Sequence, residues 1–283
     1  MSTGSKPTLL LKAAPHADQL AERLSGGPWE GVEIALGPAD LEAGTAERAA
    51  AVTRQALRGL AVTAEAPLSW PSGAFVSVDR LDEEARAGIE ASAGFAAAVG
   101  SPVLTIHLFV PTEAGAVRAA PPLETGAVER FLAFYAQACL SRGVKPLIEN
   151  VPPVLRMRRG GVYLSPLGGH WRDLLEWRER IPELGFTIDT SHAALFRSFA
   201  ASYPGLVGLG SAEGLELERY VEELGPGADV AHVSDAHGLL GEGLPYGAGE
   251  LELDPIVRRL GELVPLIVAE INEPDPARSP GMK

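Results

Sequence analysis

Eight short β-like runs, separated by stretches of helical periodicity and spaced roughly 25 to 45 residues apart, predict an α/β fold of the (β/α)8 TIM-barrel type. Two further observations favour a closed barrel over a doubly wound open sheet. The first run leads into "LLLKAAPHADQL", which lacks the glycine-rich turn an open sheet places there. The residues sharing one face of a run also change from small or apolar to ionisable in the N-to-C direction. That gradient is expected of barrel strands leaving a packed core for the mouth.

The runs are "TLLLKA" (8–13), "GVEIAL" (31–36), "LAVTAEA" (60–66), "VLTIHLF" (103–109), "KPLIENV" (145–151), "GFTIDT" (185–190), "DVAHVSDA" (229–236) and "PLIVAEI" (265–271). "LDEEARAGIEASAGFAAAV" lies between the third and fourth, with one Asp and two Glu in its first turn, where acidic groups suit a helix start. "GAVERFLAFYAQACLSRG" lies before the fifth and ends at Gly143, a suitable residue just past a helix. "WRDLLEWRERI" and "LELERYVEEL" carry the same period later. No Gly/Ser linker or low-complexity tract divides the chain, so residues 1–283 are read as one domain. After the eighth run, "NEPDPARSPGMK" has three prolines, a glycine and no apolar stripe, so a regular eighth helix is not expected. The groove between strands 8 and 1 is then open, or covered by another segment or by a second copy in a homo-oligomer.

Composition narrows the partners. At 46% hydrophobic residues the chain can bury a sizeable core. Its 24 Lys+Arg against 37 Asp+Glu give a net charge of −13, with no general attraction for nucleic acid or anionic membrane. No apolar run reaches the roughly 18 residues of a membrane span, and no signal peptide is evident. The single cysteine, Cys139, sits in an apolar helical pattern, excludes an intramolecular disulfide and fits a cytoplasmic setting.

The strand ends carry the chemistry. Alternation puts Ala61, Thr63 and Glu65 on one face of strand 3, Val103, Thr105 and His107 on strand 4, and Leu147 and Glu149 on strand 5. Thr187 and Asp189 share a face on strand 6, Val230, His232 and Ser234 on strand 7, and Leu266, Val268 and Glu270 on strand 8. One glutamate at a strand end is ordinarily just solvated; several converging carboxylates are not. Two at about 4 Å repel by roughly 4 kcal/mol at an effective dielectric of about 20. Of the basic residues only Lys12 lies at a strand end, so a divalent ion held by Glu149, Asp189, His232 and Glu270 is the simplest neutraliser. Three oxygens and one nitrogen suit Mn2+, the first choice, as well as Mg2+, Co2+ or Zn2+.

"IEN" (148–150), "IDTSH" (188–192), "HVSD" (232–235), "GEGLPYGAGEL" (241–251) and "AEIN" (269–272) occur in the order and on the strands that resemble the xylose isomerase-like TIM-barrel superfamily. The first half of the chain matches mainly in rhythm, in "GVEI" and in "IHL". The resemblance implies metal ligands at Glu149, Asp189, His232 and Glu270 and a substrate contact at His192. Its endonuclease IV-like members need a strand-3 histidine and an Asp-x-His before the glycine-rich loop. This chain has Glu65 and "GEGLPYG" instead. Its epimerases carry an arginine after the strand-7 histidine, for which His237 or Tyr246 is the substitute here.

The implied reaction moves a proton next to a carbonyl of a small sugar, sugar acid or polyol through a metal-stabilised enediolate, with Glu149 and Glu270 as base and acid. Besides His192, the expected substrate contacts are His107, Glu65, His237, Tyr246 and Arg156, the last in the basic loop "LRMRRGG" (155–161). Asp235 is read as orienting His232 or His237, or as capping the following segment. The alternatives are a metal-dependent lyase of the inosose or dehydroshikimate dehydratase type, an endonuclease IV-like phosphodiesterase, and a non-catalytic binding or assembly barrel.

Overall fold

A computed structural model describes residues 6–25, 27, 29–42, 44–113, 122–152, 154–156, 162–205, 212–275 and 277–282. All eight sequence runs become strands: β1 (Thr8–Ala13), β2 (Gly31–Ala35), β3 (Ala61–Glu65), β4 (Val103–His107), β5 (Lys145–Glu149), β6 (Gly185–Asp189), β7 (Ala228–Val233) and β8 (Leu266–Ala269). They pair in parallel and close in the order β1-β8-β7-β6-β5-β4-β3-β2. This is a TIM barrel.

The surrounding helices are α1 (Ala17–Leu24), α2 (Thr45–Leu57), α3 (Glu83–Val99), α4 (Thr125–Leu140), α5 (Trp171–Arg180), α6 (Thr190–Ser202), α7 (Leu217–Leu224) and α8 (Leu253–Leu263). Two of them, α6 and α7, follow β6, and none follows β8 among the described residues. The Asp82 carboxylate accepts the Ala85 N–H at 2.9 Å and so caps α3. Gly143, past the end of α4, sits at φ 74°, which favours glycine. Two strand ends depart from the sequence reading. Thr190 opens α6 rather than ending β6, and run 229–236 breaks after Val233. Asp235–His237 there pairs antiparallel with Gly241–Leu244 as a hairpin over the mouth.

Inside the barrel, Leu10, Val103, Leu147, Val230 and Val268 fill the lower layer, with Ala61 and Leu266 against them. Thr105 and Thr187 meet at 2.8 Å above that layer, so the polarity of the inward face rises towards the mouth. Outside, α4 lays Phe131, Leu132 and Tyr135 against the sheet, each fully buried. Full burial of each such apolar side chain contributes about 1.5–3 kcal/mol. The Tyr135 hydroxyl bonds the Leu104 and Leu147 carbonyls and accepts the Leu147 N–H, pinning α4 across β4 and β5.

The groove between β8 and β1 is covered from within the chain. Met282 packs on Leu11 and Ile271, beside Trp29 and Ala269. Ser279, also buried, bonds the Glu22 carboxylate of α1, and the N–H groups of Gly281 and Met282 donate to Glu273 at 2.7 and 3.1 Å. The tail that cannot form a helix therefore does part of a helix's covering work. No helix among the described residues is long and apolar enough to cross a membrane.

Tyr135→Phe removes the hydroxyl from a dry site and leaves strand groups with one partner fewer. It is expected to lower unfolding free energy by about 1–3 kcal/mol in urea titration, with the denaturant slope unchanged.

Candidate metal centre

Strand alternation and barrel closure bring four side chains together at the C-terminal mouth: Glu149 from the end of β5, Asp189 from the end of β6, His232 from β7, and Glu270 just past β8. The register aligns them, with His232 opposite Asp189 on one side and Val268 on the other. One ligand atom from each of the four lies within 4.8 Å of all the others. His232 Nδ1 stands 3.2 Å from Glu149 Oε1 and 2.6 Å from Glu270 Oε2. Glu149, Asp189 and His232 are buried, and Glu270 is the ligand that meets the cavity.

Two oxygens test whether this set fits a cation. Glu149 Oε2 and Asp189 Oδ2 are buried without a hydrogen-bond partner. Leaving two such oxygens unpaired in a dry site is costly, and a hard or borderline divalent ion satisfies both. The donor set fits.

The supporting residues show how the chain aims these ligands. Asp189 accepts the His192 N–H (2.6 Å) and the Ser191 hydroxyl (2.9 Å) through Oδ1, which caps α6 and leaves Oδ2 facing the cluster. Asn150 donates to the Asp189 carbonyl at 2.9 Å and accepts the Asp189 N–H at 2.8 Å, locking the ends of β5 and β6 together. Glu33 on β2 sets its Oε1 2.7 Å from His232 Nε2, and Thr63 donates to its other oxygen at 3.0 Å. A carboxylate behind a histidine fixes the ring's orientation and raises its basicity.

Burial by itself lowers the basicity of His232. Glu33, Glu270 and Glu149 outweigh it, and the imidazole titrates well above its ordinary value. Burial pushes the Asp189 carboxyl up to about 6, against the pull of His192, and the Glu65 carboxyl up to about 8, against that of Lys12.

The cluster opens into a cavity of about 440 Å³ lined by Lys12, Glu65, His107, His192, Glu242 and Glu270 among others. Of the expected substrate contacts, Glu65, His107 and His192 therefore reach the cup. His107 Nε2 lies 3.5 Å from Glu65 and 3.8 Å from Glu149. His192 donates through Nδ1 to the Asn150 carbonyl at 2.8 Å, and its Nε2 meets Glu242 at 3.2 Å. Burial opposes the charge on His192, but Asp189, Glu149 and Glu242 outweigh it and raise its pKa well above the usual range.

His237 and Tyr246 are not brought to the cup. His237 is largely exposed and pairs with Glu250 at 3.3 Å, while Tyr246, 54% exposed, bonds Asp254. Neither lines the cavity. Arg156 has its backbone in the short strand Val154–Arg156, its side chain lies outside the described residues, and so do Arg158 and Arg159. Asp235 orients neither histidine. It accepts N–H groups from Ala236, Gly247, Gly249 and Leu251 at 2.8–3.1 Å and so holds the glycine-rich loop.

Lys12, Glu33 and Glu242 were not assigned to the site from sequence. Alternation within "TLLLKA" and "GVEIAL" places Lys12 and Glu33 on the inward face beside Leu10 and Gly31, and that pattern was the available signal. Glu242 arrives by a hairpin, for which strand alternation offers none.

A closed parallel barrel with three carboxylates and an imidazole at its C-terminal mouth defines a TIM-barrel protein with a candidate single-metal centre. The chain belongs to the xylose isomerase-like TIM-barrel family, which it matches over residues 25–281. It is similar in structure to a D-tagatose 3-epimerase-like protein, with 17% identity, a TM-score of 0.65, and 97% of this chain and 92% of that chain covered. It is also similar to the 3-keto-D-glucoside 4-epimerase of E. coli (15% identity, TM-score 0.65, 96% and 95% covered). A third similar structure is an AP endonuclease, family 2, from Brucella melitensis (17% identity, TM-score 0.61, 95% and 94% covered). Identities this low show a shared fold. No curated protein sequence matches the chain.

In metal-free protein the Asp189 carboxyl is buried with one oxygen unbonded, which gives a pH signature. With the carboxyl raised to about 6 in the folded state and near 3.9 unfolded, the native state holds the extra proton between those values. Stability from this group is therefore present below about 4 and lost as pH rises through about 6. Asp189→Asn keeps a capping oxygen without the charge. EDTA-treated Asp189→Asn is expected to gain stability relative to wild type as pH rises through about 6, read in denaturant titrations at several pH values.

Proposed function

We propose that the protein is a divalent-metal-dependent epimerase or isomerase of a small sugar, sugar acid or polyol. The observation that carries this reading is the convergence of Glu149, Asp189, His232 and Glu270 within 4.8 Å, with a buried oxygen of Glu149 and one of Asp189 that have no hydrogen-bond partner. The epimerases among the similar structures support the same chemistry. A cup of about 440 Å³ is of the size small-ligand sites have.

A divalent ion held by these four residues, with Mn2+ our first choice, supplies Lewis-acid polarisation of a substrate carbonyl. The protein's own groups manage the proton. Glu149 and Glu270 reach the centre from β5 and from just past β8, and in this reading they serve opposite faces of a bound carbon. One takes the proton next to the carbonyl, and the other, itself protonated, delivers its own proton to the opposite face. His192, anchored through Nδ1 on the Asn150 carbonyl, holds a substrate oxygen with Nε2 by yielding its contact with Glu242. Glu33 and Asn150 keep His232 and Asp189 aimed while this happens.

Manganese-loaded protein incubated in D2O with a panel of free ketoses, ketose acids and keto-polyols is expected to wash deuterium into the position beside the carbonyl. Glu149→Gln and Glu270→Gln each slow this by about 10²–10⁴-fold. Failure of wild type to exchange deuterium with any member of the panel overturns the proposal. Growth of enone absorbance in place of exchange makes the protein a lyase instead.

A further inference from the structure

The cup holds a second set of potential ligands that this chemistry leaves idle. Glu65, His107 and Glu149 each offer an atom within 4.8 Å of the other two, and all three are buried or nearly so. Glu149 belongs to both sets, and its Oε2 has no hydrogen-bond partner. By donor type a second divalent ion fits here as well as the first. What distinguishes this half of the cup is Lys12. Its side chain rises from β1, only 18% exposed, and its ammonium meets Glu65 Oε2 at 2.5 Å and Glu270 Oε1 on the other side. Arg23 of α1 donates to the Lys12 carbonyl at 3.0 Å and steadies the strand at that point.

We propose that Lys12 is a built-in cation that restricts the centre to one divalent ion and keeps the Glu65–His107–Glu149 cluster closed to a second. This rests on the metal-centre reading above. The ammonium takes up the charge of Glu65, whose remaining oxygen faces His107 at 3.5 Å. A dication entering that cluster must share Glu149 with the first ion and draw Glu65 away from Lys12. It would also leave the ammonium facing two dications with Glu270 as its only carboxylate partner among those it now touches. Because the lysine is covalently fixed, its charge cannot be displaced into solvent as a mobile ion can. One ion suits a carbonyl and hydroxyl bound side by side, whereas in-line displacement at phosphorus commonly uses a pair. Lys12 thus directs the cup towards the first chemistry.

The test is metal stoichiometry. EDTA-stripped protein is reloaded with Mn2+, freed of excess, and counted by plasma mass spectrometry. Wild type is expected to hold one equivalent, Lys12→Met two, and the double variant Lys12→Met/Glu65→Gln one again. Circular dichroism of each metal-free protein confirms its fold. One equivalent in both wild type and Lys12→Met overturns the role of Lys12 and leaves the metal centre standing, as do two equivalents in wild type. No metal in wild type overturns the centre itself and the inference with it. Should Lys12→Met not fold, anomalous scattering from Mn2+-soaked wild-type crystals decides. One peak among Glu149, Asp189, His232 and Glu270, with Lys12 still on Glu65, supports the inference, and a second peak at Glu65, His107 and Glu149 refutes it.

Discussion

Like charge gathered in a dry place governs this molecule. Barrel closure carries the carboxylates of Glu33, Glu65, Glu149, Asp189 and Glu270 to one end, where four of the five are buried. Left alone, they would repel by several kcal/mol per close pair. Each has an answer in the structure. His232 lies between Glu33, Glu149 and Glu270, Lys12 bridges Glu65 and Glu270, and the start of α6 takes one oxygen of Asp189. What those partners leave over is the pair of oxygens that calls for a cation. The apolar layer of Leu10, Val103, Leu147, Val230 and Val268 beneath is the rigid floor that makes such crowding tolerable.

The fold was legible because two periods ran through the chain without conflict. A period of two marked each strand, and the change from apolar to ionisable along each face told which end was the mouth. Glu149, Asp189, His232 and Glu270 followed from that gradient and do converge. The same alternation, carried through on strands 1 and 2, would have added Lys12 and Glu33. Lys12 stands out in the sequence as the one basic residue at a strand end but with no sign of what it faces, and Glu33, between apolar neighbours in a short run, reads as an ordinary interruption. Glu242, His237 and Tyr246 were beyond reach for another reason. All three belong to the segment after β7, whose path is decided by long-range bonds to Asp235 and Asn272 rather than by local periodicity. The tail shows the converse: its prolines announced the missing helix, but nothing local foretold that Ser279 would seek Glu22 or that Met282 would cover Leu11.

Asp189 shows how tightly sequence can couple separate tasks. Within "IDTSH" one residue ends a strand, starts a helix without an intervening loop and presents an oxygen to the cup. Asn150 in "IEN" answers it from the neighbouring strand with two bonds to its backbone. The convergent side chains are thus fixed by elements that the barrel needs in any case, and their geometry is inherited from the sheet.

The hairpin over the mouth is built differently. Its first residue, Asp235, gathers the loop that follows by accepting the N–H groups of Gly247, Gly249 and Leu251; it touches the chain beyond β8 through Asn272, and it brings Glu242 to the wall of the cup while contributing none of the four convergent side chains. A barrel divided in this way can exchange one facet of its binding surface while the machinery below stays put. A substitution at Glu242, or a change in the length of its turn, would accordingly reshape the wall of the cup without moving the four convergent side chains at its base.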